Sequence, residues 1–220
     1  MELAAYKQLG VLGEAGEALS TDEARRRFGK KNVLTGQWGE RELVSMIREA
    51  RLDQQFCFWT SRAVPNDPND YRAMRSYGDV DLVAANGNRV VLIDAKWWSG
   101  GKVYWSFGGR PMNGLSPVRD SGGRNWKPLS RNMAMAVERF SAVLPGHYVS
   151  AIVIFVKPRS SKGSLPASVK LLRWPGGIRS YLPGDGVRQI RKRLGDPVGG
   201  TTELVAGICG SNPRTRKRAD

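Results

Sequence analysis

The stretch Gly78-Asp-Val-Asp-Leu-Val-Ala-Ala-Asn-Gly-Asn-Arg-Val-Val-Leu-Ile-Asp-Ala-Lys96 decides the fold. Two apolar runs, about 79–85 and 89–98, flank Asn86-Gly87, and Asn-Gly between such runs is a strong hairpin signal. A two-residue turn there pairs Ala85 with Asn88, sets Asp79 opposite Asp94 and sets Asp81 opposite Leu92. Side chains alternate along a strand and cross-strand partners share a face. Asp79, Asp81, Asp94 and Lys96 are therefore expected on one side of the hairpin, with Val91, Ile93, Ala95 and Trp97 on the other. Acids and lysine are disfavoured in strands, and facing carboxylates repel unless a cation lies between them or one is protonated. Either a hard cation binds here or the residues form ordinary ion pairs on an exposed sheet face. Magnesium suits the first case, because it takes one or two protein carboxylates together with waters and phosphates.

Upstream, a helix is expected from Gly36 to Arg51 with Thr35 as its N-cap. Leu43, Val44 and Ile47 form its apolar stripe, and Glu40 falls on that stripe. An inward acid is costly unless it is paired or holds a cation; at the margin of the stripe it can also reach water. Phe56–Thr60 reads as a strand and 61–77 as a loop, with a further strand at Lys102–Phe107 and a long Gly-, Pro- and Asn-rich loop over 108–128. Ser130 is placed to cap a helix to Val143. Val149–Val156 is apolar throughout, as a central strand covered on both faces would be. A strand near Ser168–Arg173 and a basic helix over Val187–Leu194 follow. The expected organisation is a helical extension over 1–30, a main α/β domain over 31–195 with a central mixed β-sheet flanked by helices, and a basic, flexible tail over 196–220.

Thirty-five Lys and Arg against 20 Asp and Glu give a net charge of +15, and a chain this basic attracts polyanions. Nucleic acid is the expected partner. No run of about 18 apolar residues suggests a membrane span, and no basic-then-apolar leader suggests secretion. Two cysteines, Cys57 and Cys209, are too few for a disulfide framework, and a reducing cytoplasm is the simplest setting. The single histidine, His147, cannot build a His-rich metal site. Trp97, Trp98, Tyr104 and Trp105 are read equally as core residues or as platforms for unpaired bases. Arg110, Arg119, Arg124 and Lys127 stud the long loop, and Arg188, Arg191 and Lys192 stud the last helix. These bases are the candidate backbone contacts.

Taken together, the Gly36-Gln-Trp-Gly-Glu40 helix start, Gly78-Asp-Val-Asp-Leu-Val83, Ile93-Asp-Ala-Lys96 and the Ser130–Leu144 helix resemble, over about 33–156, the nuclease-related domain (NERD) family of the PD-(D/E)xK nuclease superfamily. The resemblance implies a restriction-endonuclease-like α/β core and a Mg²⁺- or Mn²⁺-dependent nuclease acting on DNA. It implies Asp81 and Asp94 as metal ligands, the Ala95 carbonyl as a third, Lys96 serving the attacking water and Glu40 completing the acidic site. The sequence departs from the pattern at Asp94, where Glu is commoner, and at Arg131, where Gln is expected, so no role passes to Arg131. Asp79 is not the family's usual main ligand. Alternatives are a DNA-binding module without catalysis and a nuclease for RNA or branched DNA. Cutting both strands with one site per chain would favour a homodimer.

Overall fold

The computed structural model describes residues 5–12, 30–65, 79–98, 100–119, 128–157 and 162–210. In chain order its strands are β1 (Ala5–Tyr6), β2 (Gly10–Leu12), β3 (Cys57–Ala63), β4 (Asp79–Asn86), β5 (Arg89–Lys96), β6 (Val103–Phe107), β7 (Arg110–Asn113), β8 (Ser116–Pro117), β9 (Tyr148–Phe155), β10 (Ser168–Leu171), β11 (Arg173–Trp174), β12 (Ile178–Tyr181) and β13 (Thr201–Thr202). Its α-helices are α1 (Lys30–Glu49), α2 (Asn132–Val143), α3 (Pro183–Leu194) and α4 (Glu203–Gly210).

Among the described residues the main sheet runs β11-β12-β9-β5-β4-β3-β2. It is mixed, with β5, β9 and β12 parallel and the β3, β4 and β5 neighbours antiparallel. The expectation of an α/β fold with a mixed sheet between helices is met. The apolar run expected to be central is β9, whose Ala151 to Phe155 are buried. One face packs under α1 and α3 through Leu43, Ile47, Phe58, Leu82, Ile93, Ile154 and Ile190. The other packs under α2 and α4 through Trp59, Val83, Leu92, Phe155, Phe140 and Val205. Burying a large apolar side chain stabilises by about 1.5–3 kcal/mol, so two covered faces give this sheet its cohesion.

The hairpin forms, with its turn one residue later than expected. Asn86 pairs with Arg89, and Leu82 pairs with Ile93, so Gly87-Asn88 is the turn. The physical reason is Asn86 itself. It is buried, and its side chain donates to the carbonyls of Leu194 at 2.9 Å and Asp196 at 2.7 Å and accepts from Val198 N–H at 2.9 Å. The partners move by two positions, which preserves the faces, and one step beyond Leu82–Ile93 brings Asp81 against Asp94.

Other differences have local causes. Helix α1 begins at Lys30, so Thr35 lies inside it rather than capping it. Residues 5–12, expected in a helical extension, include two short strands, β1 against β13 and β2 parallel to β3. Residues 201–210, expected in the flexible tail, form β13 and α4, and α4 buries Val205 and Cys209. The first part of the expected 108–128 loop is instead the β6–β7–β8 meander, which joins β10 in a four-stranded second sheet. Its first turn is Gly108-Gly109 at φ 55° and 74°, the positive pair that a tight hairpin turn of type I′ requires. The helix expected over 21–28, Arg124, Lys127 and the basic segment 213–218 lie outside the described residues. No helix among the described residues is long and apolar enough to cross a membrane.

Candidate active site

The site forms where β4 and β5 part. Their ladder runs from Asn86–Arg89 to Leu82–Ile93. Past that point the Asp81 carboxylate accepts the backbone N–H of Ala95 at 2.7 Å, doing what a ladder carbonyl would otherwise do. The β3–β4 ladder also skips one step, between Thr60–Leu82 and Arg62–Val80. The residue left out of β3 is Ser61, which sits at φ 48°, left-handed territory unusual for a serine. Val80 then packs in the same layer as Val83 rather than with Leu82. Strict alternation therefore fails across Asp81, so alternation no longer sets Asp79 on its face. Asp79 is exposed at the start of β4, across from Ala63.

Helix α1 supplies the third carboxylate. Gly39 lies so near β5 that a Cβ on it would stand 3.3 Å from the Cβ of Ala95. Two small residues thus let the helix approach, and Glu40 follows directly. Ser61 donates its hydroxyl to Glu40 Oε2. Leu43 and Ile47, on the stripe expected to carry Glu40, are buried beneath the helix.

Lys96 closes the group. Its Nζ lies 2.6 Å from Asp94 Oδ2, with the Asp94 side chain 12% and the Lys96 side chain 31% exposed. The ammonium also stands 6.0 Å from the centroid of the Trp174 ring, within cation–π range. Burial first, and then the Asp94 carboxylate, hold Asp81 well above the usual carboxylate range; Glu40 pushes the same way, while Lys96 and the Ala95 N–H pull it back. Burial alone would lower the Lys96 ammonium, yet Asp94 and Asp81 outweigh it and raise the pKa. Lys96 is therefore a cation at neutral pH, suited to donating hydrogen bonds and steadying negative charge rather than to removing a proton.

The structure thus brings together Glu40, Asp81, Asp94 and Lys96, each named from the sequence. Ala95 contributes its N–H to Asp81, and its side chain packs in the α1 layer. Ser61 and Trp174 were not legible as members. A serine after Phe-Cys-Phe-Trp-Thr carries no periodic signal for a positive φ, and Trp174 lies 78 residues beyond Lys96 in an unremarkable apolar stretch. The donor set is oxygen only, which suits Mg²⁺ or Mn²⁺ and not a thiolate- or imidazole-loving metal. Among the described residues no three His, Cys, Asp or Glu side chains close into a cage for a metal. A magnesium site needs only one or two carboxylates, and the acid-crowded end of the hairpin supplies those.

The candidate phosphate contacts divide. Arg110, the first residue of β7 in the small sheet, and Arg119 are both exposed. Helix α3 starts after β12, level with Ala95 and Ile154, and ends at Leu194 beside Asn86. Arg191 and Lys192 therefore sit at the hairpin-turn end, away from the acids, and Arg191 bonds Gln55. Arg188, one turn earlier, pairs with Asp185. Trp98 and Tyr104 are core residues, edge to face at 5.2 Å. Comparison with family models, with curated proteins and with solved structures gives no match.

Proposed function

We propose that the chain is a metal-dependent nuclease, a phosphodiester hydrolase acting on DNA, with a restriction-endonuclease-like core of the kind its NERD resemblance implies. The observation that carries this reading is the convergence of Glu40, Asp81, Asp94 and Lys96 from one helix and two parting strands. Asp81 and Asp94, with Glu40 and the Ala95 carbonyl beside them, would hold Mg²⁺ or Mn²⁺. A bound ion of this kind supplies Lewis acidity toward a phosphoryl oxygen and an acidified water. Lys96 orients the attacking water and stabilises the charge that develops on the phosphate. Ser61 fixes the Glu40 carboxylate, and the net charge of +15 draws in the polyanion.

The test is a cleavage panel over labelled single-stranded, duplex, nicked and branched DNA and RNA, with Mg²⁺, Mn²⁺ or EDTA. Metal-dependent cutting by the wild type that is lost in Lys96→Ala supports the reading, and cutting that persists in EDTA or in the variant overturns it. A second reading, a DNA-binding module without catalysis, is favoured by the close Lys96–Asp94 pair and by the lack of a three-ligand cage among the described residues. It predicts salt-dependent binding and no cleavage on any substrate.

A further inference from the structure

The second sheet, β10-β6-β7-β8, turns one face inward and one outward. Tyr104 of β6 is buried, stacked near Phe155 and edge-on to Trp98. By alternation its neighbours Trp105 and Phe107 face away from the core. Phe107 is 71% exposed and lies opposite Arg110, while Trp105 lies opposite Met112 on one side and Leu171, 65% exposed, on the other. The two outward rings stand 6.1 Å apart, and Trp105 is pinned by its Nε1–H to the Gly114 carbonyl at 2.7 Å. The Gly108-Gly109 turn fixes Phe107 beside Arg110 at the hairpin end.

Phe107, Trp105, Met112 and Leu171 form one outward apolar patch, and a contiguous patch marks a surface that something covers. Charge says what does. The strands of this sheet and the residues around them, 97–119 and 157–172, contain no Asp or Glu, yet carry Lys102, Arg110, Arg119, Lys162 and Lys170 among others. A second copy of so basic a chain would be repelled from this face. A polyanion with flat apolar groups fits it. In a duplex the bases are already stacked on one another, so only an unpaired strand can offer a base to Phe107.

We propose that the outer face of the β6–β7 hairpin is a platform for single-stranded nucleic acid, with Phe107 stacking on a base and Arg110 meeting the adjoining phosphate. The platform connects to the acids through packed rings: Lys96 against Trp174, Trp174 against Trp98 at 5.8 Å, and Trp98 against Tyr104, which backs Trp105. This deepens the nuclease reading by naming the substrate class, and it rests on that reading only for where the strand leads.

The test is fluorescence anisotropy with a labelled oligothymidylate of about 20 nucleotides, in EDTA so that no cleavage is needed. Phe107→Ala is expected to weaken binding by roughly 5- to 150-fold, the value of one base–aromatic stack. Phe107→Trp keeps the affinity, and duplex of the same length loses far less in the alanine variant. Arg110→Ala lowers the affinity and reduces the salt slope by about 1. Wild-type affinity in Phe107→Ala, or equal losses for single strand and duplex, overturns the platform. So does a Phe107→Ala change from dimer to monomer in sedimentation with oligothymidylate affinity unchanged. Cleavage that survives Lys96→Ala instead sinks the nuclease reading and leaves the platform standing.

Discussion

Asp81 reaches across the gap between two strands to accept the N–H of Ala95 at 2.7 Å, and the hairpin register brings the same residue against Asp94. Being bound to the backbone of the strand that carries Asp94 and Lys96 fixes its carboxylate in place while leaving its charge opposed by two acids. Asp81→Asn keeps an oxygen for Ala95 and removes the charge. Because the folded-state pKa is raised, the native chain holds this proton more tightly than the unfolded one. Stability therefore falls as pH rises from the unfolded value of about 3.9 toward the raised one. At neutral pH and in EDTA, Asp81→Asn should melt above the wild type, and with Mg²⁺ present it should lose cleavage. A lower melting temperature in calorimetry would refute this account of the site.

The same conflict of charge predicts how the fold responds to metal. Millimolar Mg²⁺ or Mn²⁺ should raise the wild-type melting temperature, since a ligand that binds only the native state stabilises it by about 2.7 kcal/mol at a hundredfold excess over Kd. Asp81→Asn should show much less of this shift. Equal shifts in both proteins would place the ion elsewhere.

Ser61→Ala removes the hydroxyl that holds Glu40 without touching the hairpin acids. Loss of one hydrogen bond to a charged group is worth about 1.5–3 kcal/mol, so kcat should drop roughly 10- to 100-fold while DNA affinity in EDTA stays constant. Unchanged kcat would show that Ser61 does not position Glu40 for the reaction.

Asn86→Ala leaves the buried Leu194 carbonyl, the Asp196 carbonyl and the Val198 N–H without this side-chain partner. A destabilisation of about 2–3 kcal/mol is expected, read as a lower urea midpoint with unchanged slope. A loss below about 0.5 kcal/mol, the range of ordinary surface changes, would show that water or neighbouring groups satisfy those atoms.

Cys57 and Cys209 are both buried, and burial pushes their thiols up to about 11 and about 12. Thiolate is the reactive form, so neither should react with a disulfide reagent at pH 8 until the chain is unfolded. The raised values also carry a sign: the native thiols keep protons that unfolded thiols lose, so this stability is whole below about pH 8.5 and declines toward pH 12. Rapid labelling of the native protein would contradict their burial.

Much of this arrangement was legible in alternation. The apolar run of β9, the acidic hairpin and the inward position of Glu40 all follow from periods of two and 3.6 residues. The hairpin register was not, because the groups that claim Asn86 lie 108 to 112 residues away. The break in alternation at Asp81 was hidden for a similar reason: it depends on the backbone angle of Ser61, on another strand. Strands β1 and β2 have two and three residues, too few for any period to register. Strand β7 was concealed by Pro and Asn in a stretch that composition alone assigns to loop.

The Asn86 contacts also have a meaning in time. A ribosome adding about 5–20 residues per second makes Asn86 roughly 5–20 seconds before Leu194, Asp196 and Val198 exist to receive it. Throughout that interval the nascent hairpin carries an amide that only solvent can satisfy, and the turn has no reason yet to prefer Gly87-Asn88 over Asn86-Gly87. The pairing that sets Asp81 against Asp94 is thus chosen late, when the end of α3 arrives, and a ribosome that stalls before then would hold a hairpin whose register is not yet decided.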